Sequence, residues 1–171
     1  GGYIAQMLAL THAERLLSLT LVASEPLGWD GDRLPHIRPE ILDHFSGLTV
    51  IDWSSQTAIA SFLLELERLN SGTGAAFDEE AAHARILQGL SRTQSPASMF
   101  NHASLDVRKD WSGGYRRIRL PVLVIHGEED PVLPVENGQA LAEGIPSSLL
   151  VTFEGTGHEL PERDHERMVR V

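Results

Sequence analysis

From Tyr3 the apolar and small residues Ile4, Ala5, Met7, Leu8 and Ala9 recur at helical spacing and form a wide face that ends near Thr11 and His12. The run Leu16 to Ala23, with Thr20 and Val22 inside it, has the length and β-branched content of a buried strand. A helix led by Gly1 and Gly2 and followed by a strand has the form of the second half of a strand, helix, strand unit, with its first strand expected upstream of Gly1. The same rhythm returns at the far end. Pro121 to His126 reads as a strand, Val135 to Ile145 as a helix begun after Pro134, and Ser148 to Phe153 as another strand. The turn Gly155-Thr156-Gly157 and a polar helix from about Asp164 follow. The alternation predicts an α/β fold with three parallel strands and right-handed crossovers.

Between the first and second strands, residues 27–115 far exceed the length a crossover needs. Ile59, Phe62, Leu63, Leu66 and Leu69 fall at helical spacing, as do Ala82, Ile86, Leu87 and Leu90. Pro39 and Pro96 each suit the first turn of a shorter helix. The stretch is expected to be a helical cap over the sheet, dividing the chain into core at 1–26, cap at 27–115 and core at 116–171. Ser71-Gly72-Thr73-Gly74 separates the two long cap helices and has the composition of a flexible segment. Most of the aromatics, Trp29, Phe45, Trp53, Phe62, Phe77, Phe100 and Trp111, fall in the cap, where packing is their commonest use. Trp53, Met99 and Phe100 are the candidates for lining a substrate pocket.

Composition narrows the class. A chain of 171 residues with 42% hydrophobic and 22% charged positions is that of a globular protein, neither disordered nor fibrous. Its longest apolar runs, such as Leu120 to Ile125, fall far short of the roughly 20 residues of a membrane span. Asp and Glu outnumber Lys and Arg by 24 to 14, and the net charge of −10 disfavours nucleic acid and anionic membranes as partners. With no Cys there is no disulfide, thiolate nucleophile or Fe–S cluster, and a cytoplasmic setting is expected. The histidines show no HExxH spacing or carboxylate at ligand spacing, so no metal is expected.

Catalytic groups in an open parallel sheet collect at the carboxyl ends of the strands. Glu25 follows the first predicted strand, Asp130 follows the second in Gly127-Glu128-Glu129-Asp130-Pro131, and His158 follows the third in Gly155-Thr156-Gly157-His158. An imidazole serves as a general base near neutral pH when a carboxylate fixes its tautomer and stabilises the imidazolium. One helix and one strand separate Asp130 from His158, which returns the chain to the neighbouring strand end. Glu128 and Glu129 compete with Asp130 for the acid role, and Glu25 is a further alternative. His126, at a strand end, is expected to line the site without doing chemistry.

The order strand, Gly127-x-x-Asp130-Pro131, helix, strand, Gly155-x-Gly157-His158 resembles the end of an α/β-hydrolase, in which the acid follows strand seven and the histidine strand eight. The opening Gly1-Gly2-Tyr3-Ile4-Ala5-Gln6 resembles the last part of the nucleophile elbow, running into the helix behind it. The cap is most similar to the aclacinomycin methylesterase group, through Ser71-Gly72-Thr73-Gly74, Phe77-Asp78-Glu79 and Asn101-His102-Ala103-Ser104-Leu105. The resemblance implies an incomplete fold comprising strands six to eight, with a serine two positions before Gly1 and the oxyanion donors also upstream. It further implies hydrolysis of a largely apolar small-molecule carboxylic ester, methyl or small alkyl, through a Ser-Asp130-His158 triad without metal or organic cofactor. The chain by itself is then expected to be inactive. Dehalogenase, epoxide hydrolase, haloperoxidase and carbon–carbon hydrolase chemistry share this fold, as does non-catalytic ligand binding.

Overall fold

The computed structural model describes residues 1–104, 110–159 and 161–171. Leu105, which closes the last cap motif, lies outside the described residues, as do 106–109 of the expected cap and Leu160. Strands β1 (Leu19–Val22), β2 (Val122–Gly127) and β3 (Ser148–Phe153) form one parallel sheet in the order β1-β2-β3. Leu19 pairs with Val122 and Val122 with Ser148, while at the other end Gly127 pairs with Phe153. Parallel pairing in this register brings the carboxyl ends of all the strands to one edge of the sheet.

Helix α1 (Gly2–Thr11) precedes β1, and α5 (Glu136–Gly144) crosses from β2 to β3. Leu19, Leu21, Val122 and Val124 project to one face, where Ala9 of α1, Leu141 of α5 and Ile145 just after it join Tyr115 and Ile118 in a buried core. β1 is buried on that face only, since both helices lie on the same side: Thr20 and Val22 are exposed, as is Leu149 of β3. The strand is also shorter than the apolar run. β2 begins only after Pro121, whose carbonyl takes the Leu19 N–H at 3.0 Å, so Leu16 to Ser18 have no ladder to join.

The connection from β1 to β2 carries α2 (Pro39–Ser46), α3 (Gln56–Asn70) and α4 (Glu79–Leu90), with no strand among the described residues. Pro39 occupies the first helical position of α2. Ser55 caps α3 by accepting the Ala58 N–H, and Asp78 caps α4 by accepting that of Ala81, with Glu79 and Glu80 in the first turn to complement the helix dipole. α3 and α4 share a second apolar core of Ile59, Ala60, Ile86 and Leu90, against which Trp53, Leu63 and Leu64 pack. The segment Pro96–Ser104 winds as a 3₁₀ helix. The last helix, α6 (Glu162–Arg170), starts shortly before the predicted Asp164. Among the described residues no helix is long and apolar enough to cross a membrane.

The sheet core is the load the fold rests on, and its central side chains are sensitive positions. Leu21→Ala, at a site only 1% exposed, should cost about 2–5 kcal/mol. Leu17→Ala, at a site 95% exposed, should stay within about 0.5 kcal/mol. Urea unfolding of both variants measures the contrast.

Candidate active site

β2 ends at Gly127 and the chain reverses through the following turn. Asp130 lies inside that turn, 2% exposed. Its Oδ1 accepts the backbone N–H groups of Val132 and Leu133, both at 2.8 Å, so the side chain organises the loop that carries it. Pro131 fixes the backbone between them. His126, buried near the end of β2, donates from Nε2 to the Leu133 carbonyl at 2.6 Å and lies 3.5 Å from Asp130 Oδ2. It closes the turn from the sheet side and lines the acid without reaching the cleft.

β3 ends at Phe153, and His158 follows the Gly155-Thr156-Gly157 turn. The two strand-end turns touch backbone to backbone: a Cβ at Gly127 would fall 2.2 Å from the Gly157 carbonyl oxygen and 2.4 Å from that of Thr156. His158 Nδ1 stands 2.8 Å from Asp130 Oδ2. A carboxylate only accepts, so Nδ1 carries the proton and a neutral His158 presents the lone pair of Nε2. The imidazole is partly exposed and opens on a cleft of about 630 Å³ shared with Asn70, Phe77, Glu159 and Arg163. α6 braces the turn from outside: Arg163 donates to the Gly155 carbonyl at 2.7 Å and to Thr156 Oγ1 at 2.9 Å, and that hydroxyl donates to Asp164 at 2.6 Å.

The linker between α3 and α4, expected to be flexible, is instead tied to both turns. Thr73 donates its N–H and its hydroxyl to the two oxygens of Glu129, each at 2.7 Å. The Gly72 N–H reaches Glu159 Oε1 at 2.9 Å, and the Gly74 N–H reaches the Gly155 carbonyl at 2.9 Å. The His158 N–H donates to the Asn70 carbonyl at 2.8 Å. A Cβ at Gly72 would sit 2.2 Å from the Gly155 oxygen, so here glycine serves close approach.

The three consecutive acids after β2 face different ways. Glu128 accepts from Thr152 Oγ1 at 2.7 Å, Glu129 holds Thr73, and Asp130 faces His158. Glu25 turns toward Tyr3, whose phenol is raised above its ordinary value by burial and by the charge and hydrogen bond of Glu25. Trp53 and Phe100 belong to an aromatic cluster, with ring centroids 6.2 Å apart and Phe45 and Phe62 also against Phe100. Met99 beside them is exposed, and among the described residues none of Trp53, Met99 and Phe100 lines the cleft of His158. Among the described residues no group of three or more His, Cys, Asp or Glu is arranged to hold a metal ion.

One structural residue escaped the sequence pattern. Gln6, fully buried in α1, donates to the Glu25 carbonyl at 2.9 Å and accepts the Leu27 N–H at 2.9 Å, anchoring the chain that leaves β1. An amide three residues before Ala9 on an otherwise apolar face was its only signal.

A family model described as the alpha/beta hydrolase fold matches residues 1–163. The rhodomycin D methylesterase of Streptomyces peucetius is 28% identical over 97% of this chain and 60% of its own length. The pimeloyl-acyl-carrier-protein methyl ester esterase of Chromobacterium violaceum is 27% identical over 98% of this chain and 63% of its own. The chain thus spans less than two thirds of the length of these relatives. Among solved structures, an esterase from Exiguobacterium antarcticum superposes with a TM-score of 0.74 at 22% identity, covering 99% of this chain and 61% of that one.

The Thr73 contact has a titration consequence. The Thr73 hydroxyl first, then its backbone N–H, hold the Glu129 carboxyl below the usual range. A carboxyl whose folded value lies below its unfolded one adds stability that is fully present above the unfolded value and is lost as pH falls through the folded one. Thr73→Val should therefore move the Glu129 titration upward, toward the ordinary carboxylate value, in carbon-13 NMR of the carboxyl group.

Proposed function

Because this chain belongs to the family of the alpha/beta hydrolase fold, we propose that Asp130 and His158 are the acid and base of an ester hydrolase whose serine nucleophile precedes Gly1 by two positions. The observation that carries this reading is the 2.8 Å bond between His158 Nδ1 and a buried carboxylate at adjacent strand ends, with the imidazole open to a cleft. That arrangement leaves Nε2 to take a proton from a hydroxyl in the cleft.

The reaction is a two-step acyl transfer. His158 removes the serine proton as the hydroxyl attacks the ester carbonyl, and backbone N–H groups hold the oxyanion of the tetrahedral intermediate. The imidazolium, stabilised by Asp130, then protonates the departing alcohol. In the second step His158 takes a proton from water, the hydroxide attacks the acyl-serine, and the serine regains its proton. No metal or organic cofactor takes part.

A largely apolar small molecule bearing a methyl or small alkyl ester is the substrate we assign. The reactions named for the two curated relatives, both methyl ester hydrolyses, support the methyl ester. We assign residues 27–115 the role of a lid over the strand ends, between core segments 1–26 and 116–171. The lack of cysteine fits a cytoplasmic setting.

In the protein that carries the upstream serine, His158→Ala should lower kcat for p-nitrophenyl acetate by about 10⁴-fold or more, and Asp130→Asn by about 10⁴-fold. A fluorophosphonate should label the wild type covalently. Turnover that survives His158→Ala would sink the assignment. The 171-residue chain alone should leave the same ester untouched, and activity from it would point to a different nucleophile.

A further inference from the structure

Besides the bond between Asp130 and the imidazole itself, the backbone ties from the Asp130 turn reach the second turn only before His158. The Glu128 N–H donates to the Phe153 carbonyl at 3.0 Å and the Glu129 N–H to the Thr156 carbonyl at 2.9 Å. His158 lies two residues beyond Thr156. Its own backbone N–H is held by the Asn70 carbonyl at 2.8 Å, and its neighbour Glu159 by the Gly72 N–H at 2.9 Å. Asn70 ends α3 and Gly72 lies in the α3–α4 linker, whose next residue, Thr73, grips Glu129 beside Asp130 with two donors.

We propose that Thr73 and Glu129 are positioning residues: they strap the linker across both turns and so set the distance between His158 and Asp130. This rests on the acid–base role proposed for that pair. Thr73 and Glu129 meet in a solvent-exposed contact built from hydrogen bonds to a carboxylate. Its loss leaves the sheet core and the α3–α4 core intact and unties the linker from the Asp130 turn, so that the segment bonded to His158 and Glu159 is no longer held against that turn. The strap therefore governs the alignment of the base more than the stability of the fold. An imidazole displaced by an ångström loses catalytic rate, while binding of a small ester is little affected.

The experiment uses the full-length enzyme with p-nitrophenyl acetate, together with NMR hydrogen exchange at the His158 amide. Thr73→Val and Glu129→Ala should each speed that exchange about tenfold and lower kcat about tenfold, with KM within about twofold of wild type. Thr73→Ser, which keeps both donors, should restore both readouts. Glu129→Ala carries the same test should Thr73→Val fail to fold. Exchange and kcat unchanged in these variants would overturn the strap, as would faster exchange with an undiminished kcat, or a Thr73→Ser variant as impaired as Thr73→Val. A wild type with no esterase activity would instead overturn the hydrolase reading, and the exchange rates would still decide whether the linker holds His158.

Discussion

The geometry of the site depends on keeping one carboxylate charged inside the protein. An unpaired buried carboxylate costs several kcal/mol, and the fold meets that cost by surrounding Asp130 with donors. Two backbone N–H groups bind Oδ1 and the imidazole of His158 binds Oδ2. The turn after β2 is thus built around the aspartate, with His158 engaging the oxygen that the turn leaves open. His126 fits the same logic. Its Nε2 proton is engaged by the Leu133 carbonyl, so it anchors the far end of the turn and leaves Oδ2 to the histidine of the next strand.

Parallel pairing supplies the rest of the convergence. Gly127 pairs with Phe153, so the segments leaving β2 and β3 start side by side, and the absence of a side chain at Gly127 lets the second press onto the first. The pair is thus a consequence of register: sliding β3 by one residue would carry His158 away by about 3.3 Å and turn every side chain of the strand to the opposite face. The core on the α1 and α5 face opposes such a slip, since Leu150 of β3 packs against it while the adjacent Leu149 is exposed.

Much of this was legible in the chain because two kinds of signal coincide at each strand end. At Pro121 to Asp130 and at Ser148 to His158 an apolar β-branched run stops at glycine, and the polar residue a few positions on is the one brought into the site. Elsewhere a single signal stood alone and misled. Leu16 to Ser18 look like strand by composition, but strand formation needs a neighbour, and β2 starts too late to provide one. Ser71 to Gly74 look flexible because glycine removes steric barriers, yet the same lack of a side chain permits the closest backbone contact, and Gly72 is used in that second way. Composition alone does not rank Glu128, Glu129 and Asp130; the Gly127-x-x-Asp130-Pro131 motif favours Asp130, and in the folded turn the three face different partners. Trp53, Met99 and Phe100 have the character of pocket residues, but among the described residues none lines the cleft of His158, and the two rings pack in the aromatic cluster of the helical segment.

The three acids also show how the helical segment and the sheet share one frame. Glu128 stays on the sheet with Thr152, Asp130 points to His158, and Glu129, between them, reaches the α3–α4 linker. A short turn therefore connects three parts of the molecule through adjacent residues. If residues 27–115 act as the proposed lid, displacement of α3 relative to the sheet pulls on its own last residue, Asn70, whose carbonyl holds the His158 backbone, and on the linker that follows. Lid movement and alignment of the base are then one coordinate, because the linker is too short and too firmly bonded at both ends to absorb the motion itself.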